Sequence, residues 1–180
     1  MTTHPTKQLV HMPADAVTLE GELILPPGTP GVVAFAHGSG SSRQSPRNTF
    51  VAGVLQAAGL GTLLFDLLTR AEDTAYETRF DIALLTRRLL AATQWLQQQP
   101  QTKTLALGYF GASTGAAAAL QAAAALGPAI AAVVSRGGRP DLAASALAQV
   151  QAPSNYSRHF QCSSRGSHQV QENLLFSQVR

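Results

Sequence analysis

Cysteine and charged residues are scarce in this sequence. It has one cysteine, Cys162, in 180 residues, and charged side chains make up 13% of it. A single cysteine excludes an internal disulfide and a thiolate metal site, so disulfide-rich secreted scaffolds and zinc ribbons are excluded. The formal net charge is +3 and no dense basic cluster is present, so we expect no nucleic-acid partner. Hydrophobic residues make up 45% of the chain, which excludes a disordered protein and suits one domain with its own core.

Signals for targeting to a membrane are also weak. The first eight residues lack the apolar stretch of a signal peptide, so we expect a cytoplasmic location. Residues 104–135 carry no charged side chain and are long enough to cross a bilayer. This stretch is largely alanine, however, and Gly127 and Pro128 interrupt it. We interpret it as part of the buried interior of a globular domain and expect no membrane partner.

Hydrophobic patterning predicts strands that alternate with helices. Residues 17–25 alternate apolar and polar side chains, as a half-buried strand does. Continuous apolar runs predict strands covered on both faces at 31–36, 61–68, 104–110 and 130–134. Spacing and composition predict helices at 48–58, 80–99, 114–126 and 141–149. The alternation predicts a three-layer α/β fold, with helices on both faces of a mainly parallel sheet.

The composition of the chain changes abruptly at Pro153. Residues 154–180 contain no alanine, are rich in serine and glutamine, and hold no run typical of a buried strand. We therefore predict a domain over residues 1–153, whose sheet lacks its last one or two strands, and a polar C-terminal tail over 154–180 outside the core. A native extension and a shift of reading frame both account for this change. An exposed sheet edge would permit self-association.

One G-x-S-x-G pentapeptide, Gly111 to Gly115, follows a predicted strand and begins a predicted helix. This setting is typical of a nucleophile elbow, in which a tight turn exposes the serine. The two glycines would relieve crowding around Ser113. The helix N-terminus would place the Thr114 N–H beside a developing oxyanion. The alternative interpretation is a helix start in which small residues serve only close packing.

A second glycine-bearing loop, residues 37–42, follows the first continuous apolar strand. In an enzyme with such an elbow, this strand–loop junction supplies the second backbone donor to the oxyanion. Ser39 and Gly40 are the candidate donors. His37 precedes the serine in chain order, so we expect it to orient or pack the loop rather than to act as the base.

The same loop resembles half of a dinucleotide-binding fingerprint. Gly38 and Gly40 follow a strand, and Asp66 ends the next strand. Arg43 occupies the third glycine position, however, and the helix begins only after Pro46, too late for a pyrophosphate on its N-terminus. We therefore predict no cofactor and expect Asp66 to order the loop that follows its strand. No cluster of His, Asp or Glu has metal-ligand spacing, so we predict no metal.

Bacterial α/β-hydrolases of the dienelactone-hydrolase type resemble this chain in four segments: HGSGSS (37–42), LLFDLLT (63–69), GYFGASTG (108–115) and VVSRGGRPDL (133–142). The resemblance extends from about Val17 to Pro153. It implies a serine nucleophile at Ser113 and an oxyanion hole from the Thr114 N–H and the Ser39–Gly40 loop. It also implies hydrolysis of a small-molecule ester, lactone or thioester.

The chain departs from this family where the triad acid and base are expected. Family members have a further strand, an aspartate loop and a histidine loop in this region. Downstream of Ser113, the sequence has one aspartate, Asp141, and two histidines, His159 and His168. Asp141 and His168, or His159 in its place, are therefore the candidate triad partners, although helix capping also explains Asp141. The alternative function is a non-catalytic hydrolase remnant or a binding module.

Overall fold

The computed structural model describes residues 4–157. The strands are β1 (Thr6–Ala14), β2 (Val17–Leu25), β3 (Gly31–Ala36), β4 (Gly61–Phe65), β5 (Ala106–Ala112), β6 (Ile130–Arg136) and β7 (Ser154–Ser157). The helices are α1 (Pro46–Ala57), α2 (Ile82–Gln98), α3 (Thr114–Leu126) and α4 (Ala144–Leu147). Short 3₁₀ turns cover Glu72–Thr74, Glu77–Phe80, Gly127–Ala129 and Pro140–Ala143.

All seven strands belong to one sheet, in the order β1-β2-β4-β3-β5-β6-β7. The hairpin β1–β2 and the pair β2–β4 are antiparallel, and every pair from β4 to β7 is parallel. After β3 the chain moves to β4 on one side, and it then returns to β5 on the other side of β3. This reversal places a crevice between the carboxyl ends of β3 and β5, where ligands bind in open α/β sheets.

Helices cover both faces of the sheet, which confirms the predicted α/β fold. On one face α1 packs over a small apolar cluster that includes Phe35 and Phe110, whose ring centroids lie 5.0 Å apart. On the other face α2 and α3 cover the larger cluster, which includes Leu89 and Tyr109. The alanines at positions 116–119 of α3 are fully buried, because small side chains let the helix lie close to the sheet.

The uncharged stretch 104–135 is divided among β5, α3 and β6. Its buried alanines lie against the sheet, in agreement with the interpretation of this stretch as protein interior. None of the helices within residues 4–157 is long and apolar enough to cross a membrane.

An N-terminal strand, β1, is present although the sequence analysis does not predict it. It pairs antiparallel with β2 through a short turn at Asp15. Its buried residues alternate, with Val10, Met12 and Ala14 facing the core and the exposed residues His11 and Pro13 between them. This period-2 pattern is the signal that identifies the strand, and Pro13 weakens it because proline is uncommon within strands.

A short C-terminal strand, β7, follows Pro153, although the sequence there has no run typical of a buried strand. It pairs parallel with β6, with Ser154 opposite Val133 and Tyr156 opposite Ser135. Its side chains at 154–156 are exposed, and therefore hydrophobic patterning cannot reveal it. The rest of the predicted tail, residues 158–180, lies outside the described residues.

Candidate active site

The residue between β5 and α3, Ser113, has a strained backbone. Its φ and ψ are 50° and −119°, and among residues 4–157 only Asp15 shares a positive φ without being glycine. Asp15 lies in a hairpin turn, where aspartate tolerates this conformation. Ser113 is in no hairpin, and a conformation of this kind costs about 1–3 kcal/mol. Such strain clusters at functional sites.

Two backbone hydrogen bonds hold the strained turn. The Ser113 N–H donates to the carbonyl oxygen of Arg136 at the end of β6, at 3.3 Å. The Ser113 carbonyl accepts the N–H of Ala116 in the first turn of α3, at 3.1 Å. Neighbouring strand and helix thus fix the direction in which the turn presents the serine.

Both glycines of the pentapeptide lie where a side chain cannot fit. A Cβ on Gly111 would lie 2.5 Å from the Cα of Ala116. A Cβ on Gly115 would collide with the carbonyl oxygens of Ala36 and His37. Because these obstacles are backbone atoms, they cannot move aside as a flexible side chain would. The glycines therefore let α3 begin directly against β3 and β5, which is the relief of crowding that the sequence predicts.

The loop after β3 contacts the elbow directly. The Ser39 N–H donates to the Thr114 hydroxyl oxygen at 3.1 Å. A Cβ on Gly38 would lie 3.0 Å from the Cβ of Ser113, so this glycine allows the loop to approach the serine. The structure therefore brings together Ser113, Thr114 and the 38–41 loop. The roles of Ser113, Thr114, Ser39 and Gly40 in the reaction remain predictions.

The loop itself is a tight turn. The Ser41 N–H donates to the Gly38 carbonyl at 3.2 Å, and Gly40 has a φ of 67°. A positive φ at the third residue of a four-residue turn is what a type II turn requires, and glycine adopts it without strain. The position of the Ser39 and Gly40 amides is thus set partly by the turn and partly by the contact with Thr114.

Buried His37 connects the loop after β3 to the loop after β4. One ring nitrogen, Nδ1, lies 3.0 Å from the Gly38 carbonyl, and Nε2 accepts the Leu67 N–H at 3.0 Å. These partners require the neutral tautomer with hydrogen on Nδ1, and they occupy both nitrogens. The contacts agree with the predicted loop-packing role and leave no free nitrogen for a general base.

Asp66, at the end of β4, also holds this part of the molecule. Its carboxylate accepts the Arg43 N–H at 2.7 Å and binds the Arg43 guanidinium, which in turn pairs with Glu20 at 3.0 Å. The sequence predicts that Asp66 orders the loop after its own strand, whereas these bonds tie it to the loop after β3. Loops from β3 and β4 together line a cleft of about 240 Å³ at this edge of the sheet.

The candidate triad acid, Asp141, is exposed and already paired. The Arg139 guanidinium donates to its two carboxylate oxygens at 2.7 and 2.9 Å. This hydrogen bonding holds the pKa of Asp141 below its usual range. Asp141 caps no helix, so the capping expectation is wrong, and the predicted helix 141–149 is a 3₁₀ turn followed by α4. In the described part of the chain, no hydrogen bond joins Asp141 to Ser113.

The candidate bases, His159 and His168, lie outside the described residues. Their place relative to Ser113 stays a prediction from the sequence.

Arg136 is a site residue that the sequence analysis does not identify. Its carbonyl accepts the Ser113 N–H, and its guanidinium lies 5.9 Å above the centroid of the Phe110 ring. Burial, together with the nearby charge of Arg47, lowers the pKa of Arg136. A charged residue at the end of an otherwise apolar strand is the signal that could have identified it.

The doubly covered sheet and the strained serine turn define an α/β-hydrolase. An α/β serine hydrolase homologue from Coxiella burnetii shares this fold, with 18% identity, a TM-score of 0.70, and coverage of 83% of this chain and 72% of that one. A dienelactone hydrolase from Anabaena variabilis is much more similar, at 55% identity and a TM-score of 0.82. That match covers 84% of this chain and 72% of the Anabaena chain. This chain therefore belongs to the dienelactone hydrolase family.

Curated relatives are longer proteins. Two proteins of Mycobacterium tuberculosis, from strains CDC 1551 and H37Rv, are each 56% identical to this chain over 144 residues. The match covers 80% of this chain but only 32% of each relative, and both relatives are provisionally named phosphoribosyl transferases. No protein-family model matches the chain.

Proposed function

We propose that this chain is a serine hydrolase that cleaves a small-molecule ester, lactone or thioester through an acyl intermediate on Ser113. The observation that carries the proposal is the strained backbone of Ser113 at the junction of β5 and α3. A serine with no functional role would gain by relaxing this turn, because the strain costs about 1–3 kcal/mol. Membership in the dienelactone hydrolase family supports the same chemistry.

The reaction proceeds in two steps, acylation of Ser113 and hydrolysis of the acyl intermediate. In the first, the Ser113 oxygen attacks the substrate carbonyl carbon while a histidine accepts the hydroxyl proton. The tetrahedral intermediate then collapses, and its leaving group takes that proton. In the second, water attacks the acyl carbon, the histidine accepts and returns a proton, and the acid product leaves Ser113. His159 or His168 supplies the base, because these histidines follow Ser113 in the chain, as the order Ser…Asp…His requires. Both ring nitrogens of His37 are occupied.

Charge at the start of α3 favours the oxyanion of both intermediates. The first N–H groups of a helix have no acceptor within the helix and point out of its N-terminus together with the positive end of its dipole. The first turn of α3 contains no acidic residue that would offset this field. The Thr114 N–H is in this position. Of the two candidate second donors, Gly40 is favoured, because the Ser39 N–H donates to the Thr114 hydroxyl.

The name of the mycobacterial relatives does not change this assignment. The matched third of each relative corresponds to a chain with an α/β-hydrolase fold and a serine elbow. Because the match covers only a third of each relative, their transferase name gives no reaction for this chain. The substrate class, the cytoplasmic location and self-association of this chain stay predictions from the sequence.

Covalent labelling with a fluorophosphonate probe tests the proposal, because the probe reacts only with an activated serine. We expect the intact chain to be labelled and Ser113→Ala to lose the label. Ser145→Ala is the matched control, since Ser145 is an exposed serine of α4, and it should label as the unmodified chain does. Equal labelling of Ser113→Ala would show that the reactive serine is a different one.

A non-catalytic hydrolase remnant or binding module is the second candidate. The pairing of Asp141 with Arg139 favours it, because a triad acid accepts a hydrogen bond from the catalytic histidine, whereas among residues 4–157 the Asp141 carboxylate is bound by a guanidinium. Absence of labelling in a chain whose circular dichroism shows it to be folded would support this candidate over the hydrolase.

A further inference from the structure

The Thr114 side chain connects two parts of the site that are distant in the sequence. Its hydroxyl accepts the backbone N–H of Ser39, 75 residues away, at 3.1 Å. Thr114 is buried with 1% of its surface exposed, whereas Ser39 is exposed. The contact therefore joins the rigid start of α3 to a surface turn.

The turn at 38–41 is anchored at its two ends, where the Gly38 carbonyl lies 3.0 Å from His37 Nδ1 and the Arg43 N–H, just beyond the turn, donates to Asp66. Between these ends Gly38 packs closely against the elbow, whereas a Cβ on Gly40 would meet no atom within 4 Å. Ser41 donates back to Gly38 within the turn and so gives no anchor to the elbow. The hydrogen bond to Thr114 is thus the polar contact that fixes the middle of the turn relative to Ser113.

We propose that the Thr114 hydroxyl is a positioning group, which holds the Ser39 amide and with it the 38–41 turn against the elbow. Its role is separate from that of the Thr114 backbone N–H, which belongs to the predicted oxyanion hole. The side chain acts only through Ser39 and contacts no substrate. The consequence for catalysis rests on the proposed function, because the turn matters to the reaction only if Ser113 is the nucleophile.

Thr114→Val and Thr114→Ser separate this role from simple packing. Valine keeps the branched shape of threonine but lacks the hydroxyl, and serine keeps the hydroxyl but loses a methyl group. Thr93→Val is the matched control, because Thr93 is a buried threonine whose hydroxyl bonds to Tyr109 and Leu89 in the core. If circular dichroism shows Thr114→Val to be unfolded, Thr114→Ala removes the same hydroxyl with a smaller side chain.

Two measurements test the proposal on the full chain. The first is hydrogen exchange of the Ser39 amide, followed by NMR. We expect protection in the unmodified chain, in Thr114→Ser and in Thr93→Val, and faster exchange in Thr114→Val. The second is the rate of fluorophosphonate labelling, which we expect to fall about tenfold in Thr114→Val, the size expected for losing one buried hydrogen bond. Labelling should recover in Thr114→Ser and remain unchanged in Thr93→Val.

The two measurements distinguish failure of the positioning role from failure of the proposed function. Equal Ser39 exchange in Thr114→Val and the unmodified chain would overturn the proposal, as would labelling of Thr114→Val at the unmodified rate. If the unmodified chain is not labelled at all, the proposed function fails, and Ser39 exchange alone then decides whether Thr114 positions the turn.

Discussion

The two ends of the predicted site differ in how they are held. The elbow between β5 and α3 packs against backbone atoms, and hydrogen bonds from Ser113 to Arg136 and from Ser39 to Thr114 join it to β6 and to the loop after β3. The turn directly after β6 is largely exposed, and Asp141 in this turn pairs with the neighbouring Arg139. The comparison shows that the half of the site that would bind the oxyanion is built by packing inside the sheet. The half that would supply the acid and base depends on side chains at the surface or beyond residue 157.

Glycine substitutions give the largest expected contrast between these regions. In Gly115→Ala the new Cβ collides with the carbonyl oxygens of Ala36 and His37, so α3 must move away from β3. Overpacking of this kind costs about 1–3 kcal/mol or more, and backbone obstacles favour the upper end. We expect a large fall in the urea midpoint of unfolding, or no folded protein at all.

Gly137→Ala is the comparison in the exposed region. Gly137 has a φ of 51°, but a Cβ there would meet no atom within 4 Å. The alanine is therefore strained only by its left-handed backbone conformation, which costs about 1–2 kcal/mol of folding stability. Gly53→Ala, in α1 with open space and no positive φ, should not destabilise the protein. If Gly115→Ala unfolds no earlier than Gly137→Ala, the elbow is not held by backbone packing as described.

At Ser113, in contrast, we expect glycine to be the more stabilising residue, and the expected difference in stability is of intermediate size. Ser113→Gly lets the turn adopt a positive φ without a Cβ penalty, whereas Ser113→Ala removes the hydroxyl and keeps the strain. We expect the glycine variant to be more stable than the alanine variant by about 1 kcal/mol, because the flexibility of glycine in the unfolded chain offsets part of the gain.

Urea unfolding of both variants measures this difference. The same pair of substitutions at Ser145 in α4 is the control. There glycine should be the less stable variant, since glycine is unfavourable in helices. A glycine variant of Ser113 no more stable than its alanine variant would contradict the strain.

Elements with a strong apolar pattern could be located from the sequence, some with accurate bounds and others, such as the predicted strands 61–68 and 104–110, with bounds two or three residues away from those of β4 and β5. The predicted strands 17–25 and 31–36 and the predicted helix 114–126 have the limits of β2, β3 and α3. Edge strands could not, because β1 has a weak alternation and the side chains of β7 at 154–156 are exposed. Local motifs therefore identify the centre of this sheet, while its edges depend on backbone pairing that leaves little trace in composition.

The candidate site likewise has features that a local sequence pattern reveals and features that depend on contacts between side chains and backbone. The serine, its flanking glycines and the glycine-bearing loop could be located from the sequence, because their spacing follows from the geometry of one turn. The contact between Ser39 and Thr114 could not, since it joins residues 75 positions apart through one hydroxyl. The pairing of Asp141 with Arg139 depends on side-chain directions in an irregular turn, which no periodicity reports.

The smallest effect is expected for Asp141→Asn, in the exposed region. Arg139 lowers the pKa of Asp141, so the pair stabilises the fold above the ordinary carboxyl pKa, and this stability is lost as the pH falls through the lowered value. Both side chains are more than half exposed, so water and salt screen the attraction. We therefore expect no measurable change in the urea midpoint at pH 7. We also expect no change in fluorophosphonate labelling, because in the described residues the Asp141 carboxylate is bound by Arg139 and not by a histidine. Arg139→Gln breaks the same ion pair from the other side and should behave alike. A loss of labelling in Asp141→Asn without a loss in Arg139→Gln would instead identify Asp141 as the triad acid, and the exposed region would then contribute directly to the reaction.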